Sequence, residues 1–219
     1  ETEVRRTAAR LEQFREVVRS LFPAIKLDGD IRTNVVLFKD AAAYAPFKPK
    51  RPDGSIDTAV AGFFQAGEDV NYITLAAGER SAYGTIYHEY VHYLLDVNIG
   101  RTDLPPWLGE GLAEYFETLQ FPDDHRVFVG APPSGHISLL TKNQLIPLEE
   151  LFLTDNSALH RGGDESRSLF YAQSWALTHF LLHSSRKEGI RLDEILSTLK
   201  NPGLKGDAAA LAERWDGAV

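Results

Sequence analysis

The chain has 219 residues, 43% hydrophobic and 25% charged, which is ordinary for a globular protein and long enough for one large domain with a substantial core. Its formal net charge of -8 speaks against a nucleic-acid surface, which needs a clustered basic field, and no apolar run approaches the ~18 residues of a membrane span. Cysteine and methionine are both absent: disulfides and thiolate chemistry are excluded, a metal would have to be held by His, Asp or Glu, and the missing initiator points to a processed or trimmed chain, a removed signal peptide being one cause.

Residues 3–22 carry Ala8, Leu11, Phe14, Val18 and Leu21 at three- and four-residue spacing, the pattern of an amphipathic helix stopped by Pro23. Short β-like segments follow at 35–38, 60–65 and 72–75, separated by a turn-rich stretch at 45–54, and are expected to form a small antiparallel or mixed sheet. From Ser81 onward the pattern becomes helical. One helix capped by Ser81 runs to about Asn98, and a second, 107–119, starts behind Pro105 and Pro106. Residues 121–135 are rich in Pro, Asp and Gly, with a short strand at 126–129. One or two helical turns are expected at 148–153 and a mobile polar segment at 155–166. A strong helix at 168–183 and two more near 192–200 and 207–215 complete the chain. The order of helix, small sheet and helices predicts an α+β fold in a single domain, with residues 1–79 as its N-terminal part and 80–219 as a helical part.

The motif that organises the chain is His88-Glu89-Tyr90-Val91-His92. On a helix, positions i and i+4 share a face, so both imidazoles can reach one metal ion while Glu89 projects beside them. Two histidines need at least one further ligand. Glu110 is the candidate, on the next helix between Gly109 and Gly111, where missing side chains would let two helices approach closely around a metal. Glu114 lies one turn on, and its spacing permits either a hydrogen bond to the far N–H of a ligating histidine or a surface salt bridge.

These blocks, together with Pro105-Pro106-Trp107-Leu108 before Glu110 and Tyr171-Ala172-Gln173-Ser174-Trp175-Ala176 after it, resemble a gluzincin zinc metallopeptidase. More narrowly they are similar to peptidase MA-like (DUF1570-type) bacterial proteins. The resemblance covers about residues 87–182. It implies a thermolysin-like catalytic domain with the site between sheet and helices, Zn2+ held by His88, His92 and Glu110, Glu89 as general base, and Glu114 orienting a histidine. It further implies Tyr171 as the oxyanion partner, a peptide or protein substrate attacked by a zinc-activated water, and a secreted or envelope-associated location. An extended substrate would pair with an edge strand, for which Tyr72, Ile73 and Thr74 are the candidates. Two departures stand out. Seventeen residues separate His92 from Glu110, one fewer than in aminopeptidase N-type enzymes, and Ala61-Gly62-Phe63-Phe64-Gln65 stands where those enzymes carry the G-x-M-E-N motif that captures a substrate's N-terminal amine. An endopeptidase is therefore expected rather than an aminopeptidase. The alternatives are a silent zinc-stabilised binding or scaffold module, and a hydrolase of another amide such as a cell-wall peptide cross-link. His125, His136, His160, His179 and His183 are expected to be surface or packing residues. His136 and His160 lie in loops within reach of the cleft, and His179 with His183 has the spacing of a second metal pair.

Overall fold

In the computed structural model, which describes residues 2–51, 53–77, 82–100, 104–123, 126–161 and 163–184, the N-terminal amphipathic pattern forms helix α1 (Thr2–Leu21). Phe14 and Val18 on its apolar stripe are buried. Phe14 stacks on Tyr87 with ring centroids 4.8 Å apart and meets Tyr90 and Phe116 edge-on. Pairs of this kind add about 0.5–1.5 kcal/mol each beyond the area they bury, so α1 is pinned to the helix that bears the histidines. Arg15 ties the same contact down by donating to the Leu27 carbonyl, Asp28 and the Tyr90 hydroxyl.

The three expected strands are present as β1 (Arg32–Phe38), β2 (Gly62–Gln65) and β3 (Val70–Ala76), in the order β1-β3-β2. The sheet is mixed: β1 runs parallel to β3 and β2 antiparallel to it. The long connection after β1 holds a helical turn, α2 (Ala41–Tyr44), capped by Asp40 accepting from Ala43 N at 2.8 Å. One expectation is corrected here. Tyr72, Ile73 and Thr74 do not form an edge, because β3 is the central strand: Tyr72 pairs with Asn34 on one side and Gln65 on the other, and Ile73 and Thr74 follow in register. Their backbone groups are shared between two neighbours, and Ile73 is fully buried. A strand's propensity says how well it fits a sheet, whereas its place in the order depends on partners distant in sequence.

Helix α3 (Ala82–Ile99) lies across the sheet, with Ile73 and Leu75 packed into its core. It is followed by α4 (Pro106–Glu117), whose first turn tolerates Pro106 because an N–H there has no intrahelical acceptor. A small antiparallel pair, β4 (Gln120–Asp123) and β5 (Arg126–Phe128), precedes α5 (Ser134–Lys142), α6 (Leu148–Leu153), α7 (Asn156–Arg161) and α8 (Asp164–Ser184). The segment expected to be polar and mobile, 155–166, is thus helical on both sides of a break, with Asp155 accepting from Ala158 N at 2.6 Å at the start of α7. The expected Ser81 cap and the two C-terminal helices fall outside the described residues.

Two approaches fix the helical part. At Gly111 a Cβ atom would lie 2.2 Å from Thr178 Oγ1 and 2.5 Å from the Ser174 carbonyl, so only glycine lets α4 and α8 meet there. Gly109 meets only Leu104, at 3.2 Å. The close α3–α4 approach expected from these glycines is instead made at Gly84 on α3, where a Cβ would stand 3.0 Å from both Cγ and the carbonyl oxygen of Glu117. Buried Gln173 on α8 donates to the Ile146 carbonyl at 2.6 Å and accepts from Ile146 N at 2.9 Å, anchoring the link between α5 and α6.

A second tie joins the loop before β2 to the start of α8. Arg167 grips both oxygens of Asp57, at 2.6 and 3.2 Å, and also Asp164 at 3.0 Å. Arg51 donates to the same two carboxylates. Asp57 is only 4% exposed, and the Arg167 hydrogen bonds hold its carboxyl down at about 2.

Candidate metal centre

Helical spacing sets the centre before any tertiary contact forms. His88 and His92 stand one turn apart on α3, with ring centroids 5.0 Å apart. The packing of α4 against α3 then brings Glu110 between them: its Oε2 lies 3.4 Å from His88 Nε2 and 3.6 Å from His92 Nε2. The three ligand atoms fall within 4.8 Å of one another. Tetrahedral bonds of about 2.0–2.2 Å place neighbouring donors roughly 3.3–3.6 Å apart, and the two distances from Glu110 to the histidines match that spacing. The donor chemistry agrees, since two imidazoles and one carboxylate are a ligand set that leaves a fourth position open.

Electrostatics point the same way. Burial would raise the Glu110 carboxyl, but the flanking His92 and His88 rings outweigh it and hold the group well below the carboxylate range. Burial would lower the His88 imidazole, yet Glu110 and Glu117, with Glu89 and Glu114 behind them, lift it well above its ordinary value. Without a metal, a proton on His88 supplies the positive charge this cluster lacks.

The outer contacts correct one expectation and add to the site. His88 Nδ1 faces Glu117 Oε2 at 3.1 Å, while Glu114 Oε1 is 3.9 Å away. With Nε2 turned to the tripod, Nδ1–H donates to Glu117, which fixes the tautomer. Glu117 therefore takes the role foreseen for Glu114, and Glu114 Oε2 instead pairs with His136 Nε2 at 2.9 Å. The reason is reach: Glu117 stands directly across from Gly84, one turn before His88. His136 lies on α5 rather than in a loop, and its ring also meets Trp175.

Glu89 is 7% exposed, and its Oε2 accepts from Phe64 N on β2 at 2.6 Å. Gly62 makes this possible, because a Cβ there would lie 2.4 Å from Thr85 Cγ2 and 3.1 Å from Glu89 Cγ. Burial pushes the Glu89 carboxyl up, against the pull of the two histidines. A cavity of about 290 Å3 opens beside it, and Glu89, His88, Glu114, Glu117 and Tyr171 all line it. Burial and the carboxylates of Glu110, Glu114 and Glu89 keep the Tyr171 hydroxyl protonated far above neutrality. All of the expected site residues on α3, α4 and α8 thus converge, whereas Tyr72, Ile73 and Thr74 do not join them.

Of the remaining histidines, His183 Nε2 lies 3.2 Å from the Tyr115 hydroxyl and its ring is 4.2 Å from that of His179. No third ligand gathers with this pair among the described residues. His125 and the side chain of His160 fall outside them.

An α+β protein with a two-histidine, one-glutamate cluster between helices α3 and α4 is the class that fold and site define. The family model described as "Protein of unknown function (DUF1570)" matches residues 82–202, more than half of the chain, and the chain belongs to that family. The match begins at the first residue of α3 and includes His88, Glu89, His92, Glu110, Glu114, Glu117 and Tyr171. No curated protein matches the chain.

Proposed function

We propose that this protein is a zinc-dependent metallopeptidase of the gluzincin type, cutting within peptide chains. One observation carries the proposal: Glu89, a buried carboxylate excluded from the tripod, lies on the same helix between its two histidines and opens onto a cavity. A metal site that only stabilises the fold has no use for such a group. His88, His92 and Glu110 would hold Zn2+, which when bound supplies Lewis-acid polarisation and a water acidic near neutrality.

The chain's own residues provide the rest. Glu89 has one oxygen fixed by Phe64 N, so the other is held in a single direction toward the cavity. Its upward shift through burial brings it closer to operating pH, where a carboxylate can take a proton from water and return it to a leaving amine. Tyr171, protonated and at the cavity wall, is a hydrogen-bond donor for the carbonyl oxygen as it gains charge. Glu117 holds the His88 ring in its tautomer and orientation.

The test is metal content measured together with cleavage of an unbiased peptide library. Zinc at one per chain and cuts within peptides are expected, and Glu89→Gln should keep the zinc while slowing cleavage about 10²- to 10⁴-fold. Undiminished cleavage by that variant overturns the mechanism. Bound zinc with no peptide cleaved leaves a zinc-stabilised binding module.

A further inference from the structure

We propose that the cavity beside the histidines takes a cationic side chain, a lysine or arginine of the substrate next to the bond that is cut; this rests on the peptidase reading above. The cavity is not centred on the tripod. It is bordered by Thr85, His88 and Glu89 but by neither His92 nor Glu110, so it runs off toward the Nδ1 side of His88. At about 290 Å3 it is at the small end of ligand pockets and suits one long, narrow side chain.

Its walls differ in chemistry. Ala59, Val60, Ala61 and Gly62 form a side with no polar side chain and none larger than valine, which fits an aliphatic stem. The far end is acidic. Glu117 gives one oxygen to His88 Nδ1; the other accepts no hydrogen bond among the described residues, and the side chain is 32% exposed. Glu89, whose second oxygen serves the water in the reading above, adds a buried acidic group to the same lining. The one guanidinium in the lining, Arg167, is already gripped by Asp57 on both oxygens. Glu89, Glu110, Glu114 and Glu117 together outnumber the charge of a single divalent ion, so an ammonium or guanidinium is attracted and a carboxylate repelled even with the metal in place.

Two measurements test this on the full chain loaded with zinc. The first is binding to the Glu89→Gln protein of peptides that differ only in lysine, norleucine or glutamate at one position. Lysine should bind about fivefold tighter than norleucine, glutamate more weakly than either, and the gap should shrink with added salt. The second is the library cleaved by the wild type, where cuts should cluster beside lysine and arginine. Glu117→Gln keeps an acceptor for His88 and should bring the lysine-to-norleucine ratio toward one; Asp164→Asn, also in the lining but already paired with Arg51 and Arg167, is the second variant and should lower it less. Cleavage without basic preference overturns this inference and leaves the peptidase reading standing. Lysine-selective binding with no peptide cleaved by the wild type overturns the peptidase reading, and with it the placing of the side chain beside a cut bond, and leaves the cavity as a cation-binding site. No binding of any peptide, or a ratio unmoved by both variants, overturns the inference.

Discussion

Two ionic clusters with buried members lie within this fold, and they are built on opposite principles. In the tie between the loop before β2 and α8, Arg51 and Arg167 face Asp57 and Asp164, and each carboxylate is gripped by a guanidinium. Charge is balanced, and the Asp57 carboxylate accepts from both guanidiniums and from Ala59 N, although Arg51 Nε is left without a partner among the described residues. In the centre on α3 and α4, four glutamates surround two histidines, and three possible ligand atoms lie within 4.8 Å of one another. The first cluster is charge-neutral as it stands. The second is short of positive charge, and the fold tolerates it only because a cation, proton or metal, can enter. Burial and ion pairing are common to both; what separates a site from a strut is the uncompensated charge.

The contrast breaks most sharply at single residues. Removing Glu89's charge should leave stability nearly untouched while activity falls by orders of magnitude, as set out above. Asp57→Asn should do the opposite. Taking one partner from a buried, bidentate pair leaves Arg167 and Arg51 under-compensated and should cost about 3–5 kcal/mol of stability, read by denaturant unfolding, with zinc content per folded molecule unchanged. Metal withdrawal comes next in size. If zinc fills the centre, a free concentration one hundred times Kd adds about 2.7 kcal/mol, and chelation should lower Tm by roughly 5–10 °C in calorimetry. His92→Ala should abolish that difference, and a Tm indifferent to chelator in the wild type would show that the centre is not a metal site.

Much of this was legible before any coordinates. Helices α1, α3, α4, α6 and α8 follow from apolar periodicity and proline punctuation, and the tripod from helical spacing plus the three sequence blocks. Local signals carried these because both histidines share one helix and Glu110 opens the next. What stayed hidden depends on distant partners. The order of the sheet put Ile73 in the middle, not at an edge. His136 reaches Glu114 only after α5 folds onto α8, and α5 itself, nine residues behind Pro133, gave too short a period to stand out. Glu117 had a signal that went unused: with Glu110 and Glu114 it makes a series of steps of four and three residues, one face of α4 pointing at α3. Asp155 likewise announced α7 as a cap within a segment whose glycines suggested a loop.

Smaller effects sharpen the division inside the metal centre. Glu117→Gln and Glu114→Gln are chemically the same change one turn apart, but only Glu117 lies within hydrogen-bond distance of His88 Nδ1. The first should weaken zinc binding about 10- to 100-fold, measured by competition with a chelating dye, and the second by less. Equal losses would mean that both carboxylates serve the histidine and that His136 holds neither aside.

The mildest probe is acid. Asp57 is held at about 2 by Arg167, below the carboxylate value of about 3.9 for an unfolded chain. A carboxylate depressed in the folded state contributes stability that is fully present above its unfolded value and is lost as pH falls through the folded one. The tie should therefore hold at pH 5 and weaken between about pH 4 and pH 2. Asp57→Asn, which cannot titrate, should flatten that part of the curve in urea unfolding at stepped pH. If zinc fills the centre, it is expected to respond at higher pH, since protons would compete with the metal for His88 long before Asp57 is reached. Acid should thus act on the charge-deficient cluster first and open the neutral one last.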